Sequence, residues 1–493
     1  MSFSRFLRIF GAREILVLLL VSVVFLGLFF VTIGNRRADM KYSHTARSIE
    51  MAFNWTQCGE FSALREIGVQ NRIAKRPNPL DTSLSELAAH GAEDISGYCD
   101  GSFNQFQNED SSLFYLMSGV LFVNPNVSAM GIFWSLSGVM AVSLASFLML
   151  LWRLTRDPYV TGASALMLVG LFATLALDQF LGIRVFMWPL FLLAVAVLVR
   201  AYGTDSYRAL VFGTAGAGAI AAIGINLRSS YIVHYVLVLG IIIAANSIPK
   251  FRNPKIDVRV VISRVLGGLL AFFIGLFVVQ TVFIGPISNL EVESGLSHHP
   301  FAYPLVGGLS VPESDLSKRE GILWIDSVIT ALALRVDPAA TTYQKQESAL
   351  WKFYWGLWSD HPAEMIVIYA RKFHQAGQYE MSFLRTRIVG YLSPASIINS
   401  GYFHIAFMVI SSLAYLRFHR KRSHTLTILI YAVTGAALVD FAQAAVIVPN
   451  AVLYYPVLIF GLAFSTALIW SVAIDRLGIE RRVRQRIRII KAA

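Results

Sequence analysis

Apolar residues run in long blocks along this chain, and short polar segments, mostly basic, separate them. The blocks cover 14–34, 128–151, 159–180, 183–203, 207–226, 230–248, 261–285, 398–417, 424–447 and 451–474. Each is close to the roughly 20 apolar residues that a helix needs to cross a bilayer core. The pattern predicts an all-α polytopic membrane protein with about ten transmembrane helices. The first block follows Arg5, Arg8 and Arg13, has no small-residue cleavage signature, and ends in Asn35-Arg36-Arg37. Its length predicts a retained anchor rather than a signal peptide.

The basic residues give the blocks a direction. Short segments facing the cytoplasm carry an excess of Lys and Arg. With the N-terminus inside, the inner segments hold Arg153 and Arg156, then Arg200 and Arg208, then Lys250 through Arg264. Arg417, Arg420, Lys421 and Arg422 follow, and the tail is basic from Arg476 to Lys491. No inner segment breaks the alternation, so an even number of spans is expected, with both termini cytoplasmic. The organisation predicted is a cytoplasmic N-terminus and first anchor (1–34), a first outer loop with a juxtamembrane helix (35–127) and a six-helix membrane region (128–285). A large outer loop (286–397), a three-helix membrane region (398–474) and a basic cytoplasmic tail (475–493) complete it. The two outer loops exceed the ~15 residues beyond which loops are usually functional. Their amphipathic stretches and aromatic clusters predict helical, partly membrane-apposed structure.

Composition agrees with this picture and narrows it. The 493 residues are 56% hydrophobic and 15% charged, where a soluble chain carries about 25% charged residues. The net charge of +12 comes from residues beside apolar blocks, where they meet anionic headgroups. The lipid bilayer is therefore the expected partner and nucleic acid is not. The inner loops are too short for a nucleotide-binding domain, and no P-loop or Gly-rich dinucleotide fingerprint is present. Cys58 and Cys99 share the first outer loop. A disulfide is permitted there if the loop faces an oxidising compartment, and a chance pairing is the other reading.

Three sets of residues could carry chemistry. Glu109 and Asp110 precede the apolar segment Ser111–Leu116. A carboxylate at the edge of an apolar surface can serve as a general base, because desolvation raises its pKa; the plainer reading is an acidic N-cap. Asp178, Arg184 and Arg228 lie at the outer ends of blocks, against the positive-inside trend. A guanidinium suits bidentate phosphate binding, whereas snorkelling or an Asp178–Arg184 ion pair would be structural. The large outer loop carries His298 and His299, Asp326, an aromatic run from Trp351 to Trp358, and Arg371 with Lys372. Trp faces stack on sugars and also mark membrane interfaces. Arg371 and Lys372 could hold a phosphate or simply headgroups. No ligand spacing supports structural zinc. A divalent cation, Mg or Mn, shared by Asp110 and one histidine requires the two outer loops to meet.

The layout resembles the GT-C superfamily of membrane glycosyltransferases, which use polyprenyl-phosphate-linked sugars on the non-cytoplasmic face. The resemblance rests on the single span before the first outer loop, on Glu109-Asp110 ahead of a juxtamembrane helix, and on the tightly spaced spans before a later outer domain. It continues in the stretch from His298-His299-Pro300 through Gly307-Gly308-Leu309 and Ile325-Asp326 to Tyr369-Ala370-Arg371-Lys372. It implies a GT-C-like fold in a bacterial inner membrane, with Asp110 as base and Glu109 as its alternate. Arg184, Arg228 or Arg371 would sit on the leaving phosphate, and His298 or His299 would orient the acceptor, a glycan, lipid or protein. The long first loop with two cysteines departs from the better-known branches. A polysaccharide polymerase or O-antigen ligase is the nearest rival. A transporter or flippase would show inverted repeats and mid-membrane charges; no clear repeat is visible, and Asp440 is the main mid-block charge. A non-catalytic scaffold is the blandest reading.

Overall fold

The structure is a computed structural model that describes residues 129–155, 187–227, 232–251, 257–284, 302–378, 401–418 and 424–447, with scattered positions in 23–27, 123–128, 160–168 and 461–473. Every regular element among them is a helix. Five lie in the apolar blocks before the large outer loop: α1 (Ala129–Thr155), α2 (Met187–Tyr202), α3 (Tyr207–Leu227), α4 (Ile232–Phe251) and α5 (Val258–Val279). A π-helical turn, Gln280–Ile284, continues α5, and the α-helices between it and residue 378 are α6 (Ala302–Gly308), α7 (Asp315–Arg319), α8 (Asp326–Val336), α9 (Tyr343–Asp360) and α10 (Pro362–Gln378). The last two apolar helices are α11 (Gly401–Phe418) and α12 (His424–Val446).

Three stretches among the described residues are long and apolar enough to cross a bilayer: Tyr207–Ile225, Val258–Val282 and His424–Val446. Among the described residues the chain is all-helical, and these three helices mark it as a membrane protein. Shorter apolar helices occupy Gly138–Leu154, Pro189–Tyr202, Ile232–Ile248 and Tyr402–Phe418, each overlapping another apolar block. Blocks 14–34, 159–180 and 451–474 fall largely outside the described residues, as does the first outer loop.

Local chemistry sets several helix ends. Asp257 caps α5, its Oδ1 accepting from Arg259 N at 2.8 Å, which satisfies an orphan donor of the first turn. One turn on, the Arg264 guanidinium donates to the Asp205 carbonyl at 2.8 Å and to the Thr204 carbonyl, tying α5 to the turn between α2 and α3. From that tie α3 and α5 run side by side. Apolar helices have no hydrophobic reason to associate within lipid, so close backbone contact through small residues has to supply the attraction. Gly218 of α3 and Gly275 of α5 supply it. A Cβ on Gly218 would run into the Phe272 carbonyl, and one on Gly275 into the Ala215 carbonyl.

Residues 302–378 fold around an apolar core of their own. Val306 and Leu309, Ile329 and Leu332 of α8, Leu350 and Leu357 of α9, and Met365 and Ile368 of α10 meet there. On α9 the inward residues Leu350, Tyr354 and Leu357 recur at the i, i+4, i+7 spacing of one helix face. The short α7 is held at both ends. Ser314 Oγ accepts from Ser317 N at 3.0 Å while Ser317 Oγ accepts from Ser314 N at 2.9 Å, a capping box. At its end Gly321 takes φ 67°, Gly321 N donates to Lys318 O at 3.1 Å, and Ile322 N to Ser317 O at 2.8 Å. That is a Schellman close, which a residue with a Cβ enters only at a steric cost. Pro362 opens α10, where its missing N–H removes nothing from the helix. The helical structure expected for the large outer loop is present over these residues. Val446, the last residue of α12, packs against their core, so the five-helix unit sits on the end of a spanning helix.

Candidate functional site

Of the charged, histidine and cysteine residues proposed for the site or a disulfide, Asp326, Arg371 and Lys372 are described. Glu109, Asp110, Asp178, Arg184, Arg228, His298, His299, Cys58 and Cys99 lie outside the described residues. Asp326 opens α8, directly after Ile325 at the N-cap. Arg371 and Lys372 are consecutive on α10 and face opposite ways. Arg371 is exposed, whereas Lys372 is completely buried.

Lys372 is placed by two helix ends. Its Nζ donates to the Gly308 carbonyl at 2.6 Å, at the end of α6, and to the Ile447 carbonyl at 2.7 Å, just past α12. Carbonyls at a helix C-terminus carry the negative end of the helix dipole, so two such ends converge on one ammonium. The Nζ also lies 5.6 Å from the centre of the Tyr369 ring, within cation–π range. That ring is stacked on Trp358 at 5.8 Å and 9°, and its hydroxyl is 2.7 Å from that of Tyr354. Burial and the Tyr354 hydroxyl hold the Tyr369 phenol above its ordinary pKa. The lysine that a phosphate was expected to meet therefore binds protein carbonyls, and the exposed cation of the pair is Arg371.

Burial pushes the Lys372 pKa down from 10.5 to about 7. Between those two values the unfolded chain holds a proton that the folded chain has released, so stability rises with pH across the window and the site's full cost is felt below pH 7. A neutral amine still has two N–H donors for the two carbonyls. Thermal unfolding in detergent should accordingly show the wild type gaining on Lys372→Met as pH rises from 7 to 10. A constant difference between the two melting temperatures would contradict this.

The sequence reading missed the partner of Asp440. His234 Nε2 and Asp440 Oδ1 are 2.6 Å apart, with side chains 0% and 1% exposed. His234 stands one turn into α4 and Asp440 in the last two turns of α12, so the contact ties two apolar helices near their ends. Phe191 of α2 closes over it, edge-on to His234 at 6.0 Å. The signal available in the sequence was a polar residue near one end of each of two apolar blocks. An imidazole in contact with a carboxylate can hold a proton and pass it on.

The aromatic run of α9 makes a fixed platform. Trp351 Nε1 donates to Glu347 Oε1 at 2.6 Å, and Glu347 accepts from Ala302 N at 3.0 Å. Trp355 stacks on Trp351 at 6.1 Å and 16°, and is 60% exposed. Among the described residues no group of three or more His, Cys, Asp and Glu side chains converges on a point, while the residues considered for a divalent cation lie outside that set. No protein family, no curated protein and no solved structure matches this chain.

Proposed function

We propose that the chain is a GT-C-like membrane glycosyltransferase of about ten spans, in a bacterial inner membrane with both termini cytoplasmic. It moves a sugar from a polyprenyl-phosphate donor to a glycan, lipid or protein acceptor on the non-cytoplasmic face. The observation that carries this reading is the five-helix unit at residues 302–378, whose core takes in the end of spanning helix α12. Such a unit gives a lipid-linked donor a fixed protein wall where its phosphate leaves the bilayer, and it bears an exposed, pre-set tryptophan face. The alternation of basic segments supports the orientation.

The chemistry proposed is an inverting displacement. Asp110, with Glu109 as alternate, takes the proton of the acceptor hydroxyl. The hydroxyl oxygen bonds to the anomeric carbon as the bond to phosphate oxygen breaks, and the lipid phosphate leaves with that electron pair. Arg184, Arg228 and Arg371 would balance its charge, Asp178 would orient the arginines, and Asp326 with His298 or His299 would orient the acceptor. A divalent cation, Mg or Mn, would join Asp110 and a histidine only if the two outer loops meet. Asp110→Asn in purified, folded protein should lower transfer from a polyprenyl-phosphate sugar by about 10²–10⁴-fold, the usual worth of a general base. Unchanged turnover would remove Asp110 from that role.

One observation favours a second reading. Buried ionisable pairs inside membrane domains mark proton pathways in transporters, and His234–Asp440 is such a pair. A transporter or flippase driven by protons would lose its coupling in Asp440→Asn, whereas a transferase keeps its turnover wherever that variant folds.

A further inference from the structure

Helix α10 carries apolar residues on two opposite faces, and only one of them is fully buried within the chain. Met365, Ile368, Lys372 and Ala376 are buried at 0%, 3%, 0% and 0% exposure, on the side that meets the outer core and α12. On the other side Ile366, Val367 and Phe373 are 61%, 47% and 41% exposed, and Ala363 and Ala370 between them are exposed as well. At 100° per residue these five share one stripe three turns long. No Asp, Glu, Lys or Arg interrupts it, and the exposed His374, near its end, lies 6.3 Å ring to ring from Tyr402. Glu364 and Arg371 run along one margin, and Glu364 is engaged by Arg319 at 3.1 Å.

The position of the stripe is fixed by its neighbours. Lys372 reaches the carbonyl of Ile447, one residue past α12. Phe373 lies 6.3 Å, ring to ring, from Phe441, which is five residues inside the end of that spanning helix, or about 7.5 Å along its axis. The Phe373 carbonyl accepts from the hydroxyl of Tyr402, at the start of α11, at 3.5 Å. The second half of α10 is thus level with the ends of two apolar helices. From Tyr402 the apolar surface continues down α11 through Ile410 and Leu413, which are 63% and 60% exposed. An exposed apolar stripe that runs into the lipid-facing side of a membrane helix, with a cation on its margin, has the character of an interfacial helix.

We propose that α10 lies on the bilayer, with Ile366, Val367 and Phe373 in the acyl–headgroup boundary of the leaflet nearest the C-terminal end of α12 and Arg371 at the phosphate level. The lysine on its opposite face pins it there, so the outer unit is held to the membrane surface along a helix rather than at a single hinge. The inference concerns a lipid surface and stands independently of the chemistry proposed above.

Site-specific photocrosslinking in the full chain tests it. p-Benzoylphenylalanine replaces Ile366 in one sample and Lys318, whose side chain is 61% exposed on the same unit, in another. Both are reconstituted in nanodiscs of phosphatidylethanolamine and phosphatidylglycerol, irradiated, and read by intact mass. A phospholipid adduct at 366 and none at 318 is the expected result. Adducts at 366 only within the chain or to a second copy, or no lipid adduct there, would overturn the proposal. If the substituted protein at 366 fails to stay monodisperse, the same readout at Val367 decides, with the same two outcomes.

Discussion

Asp440→Ala should be the most destabilising single change among the described residues, lowering stability by about 3–5 kcal/mol, the range for removing one partner of a buried pair. The magnitude follows from what is left behind. His234 is 0% exposed and its Nε2 loses the carboxylate at 2.6 Å, so a polar ring stays inside the bundle without that partner. Neutral interhelical hydrogen bonds in membranes average only ~0.6 kcal/mol because the unfolded helices also find partners in lipid. This contact sits above that average because a carboxylate is one member and both side chains are enclosed. Removing both partners together, His234→Phe with Asp440→Leu, should recover most of the loss, since the burial penalty goes with them. The wild type and these two variants can be compared by unfolding in mixed detergent. Equal losses from Asp440→Ala and from the double variant would show that the pair adds nothing.

Gly275→Leu should cost at least about 3 kcal/mol, the upper end of the usual range for overpacking. Its Cβ would meet the Ala215 carbonyl carbon and oxygen, and Gly218 stands in the same relation to Phe272. Both obstacles are backbone, so no side-chain rotation relieves them and the two helices must move apart. Moving apart removes the close approach that holds them in lipid. Gly216, on α3 two residues from Gly218, has nothing within 4 Å of an added Cβ. Gly216→Leu should therefore be neutral or slightly stabilising, because helix propensity improves. Folded yield and melting temperature of the two variants in one detergent separate these outcomes. Similar behaviour would mean that α3 and α5 do not depend on backbone contact.

Helix positions were legible in the sequence because each apolar block has a spanning length and polar residues at its ends. Block 207–226 corresponds to α3 and block 424–447 to α12, each within a residue or two at either end. Pairing between blocks was not legible. His234 and Asp440 are 206 positions apart, and nothing local to either residue names the other. Asp440 read alone is an isolated acid, and read with His234 it is half of a cross-tie. Lys372 was not legible as a buried residue for a different reason. Adjacent residues on a helix diverge by about 100°, so a basic dipeptide on an amphipathic helix divides between its faces. The residues proposed for transfer, from Glu109 to His299, fall outside the described set, and their convergence is what the Asp110→Asn experiment addresses.

The Lys372 clamp also imposes an order in time. Gly308, one of its two acceptors, is made 64 residues before the lysine, whereas Ile447 follows 75 residues after it. At a synthesis rate of roughly 5–20 residues per second, the lysine waits about 4–15 s for its second acceptor. During that interval the outer unit can close its own core, but its seat on α12 does not yet exist. Docking is therefore a late event that depends on α12 entering the membrane, and the unit's attachment records that α12 has been inserted.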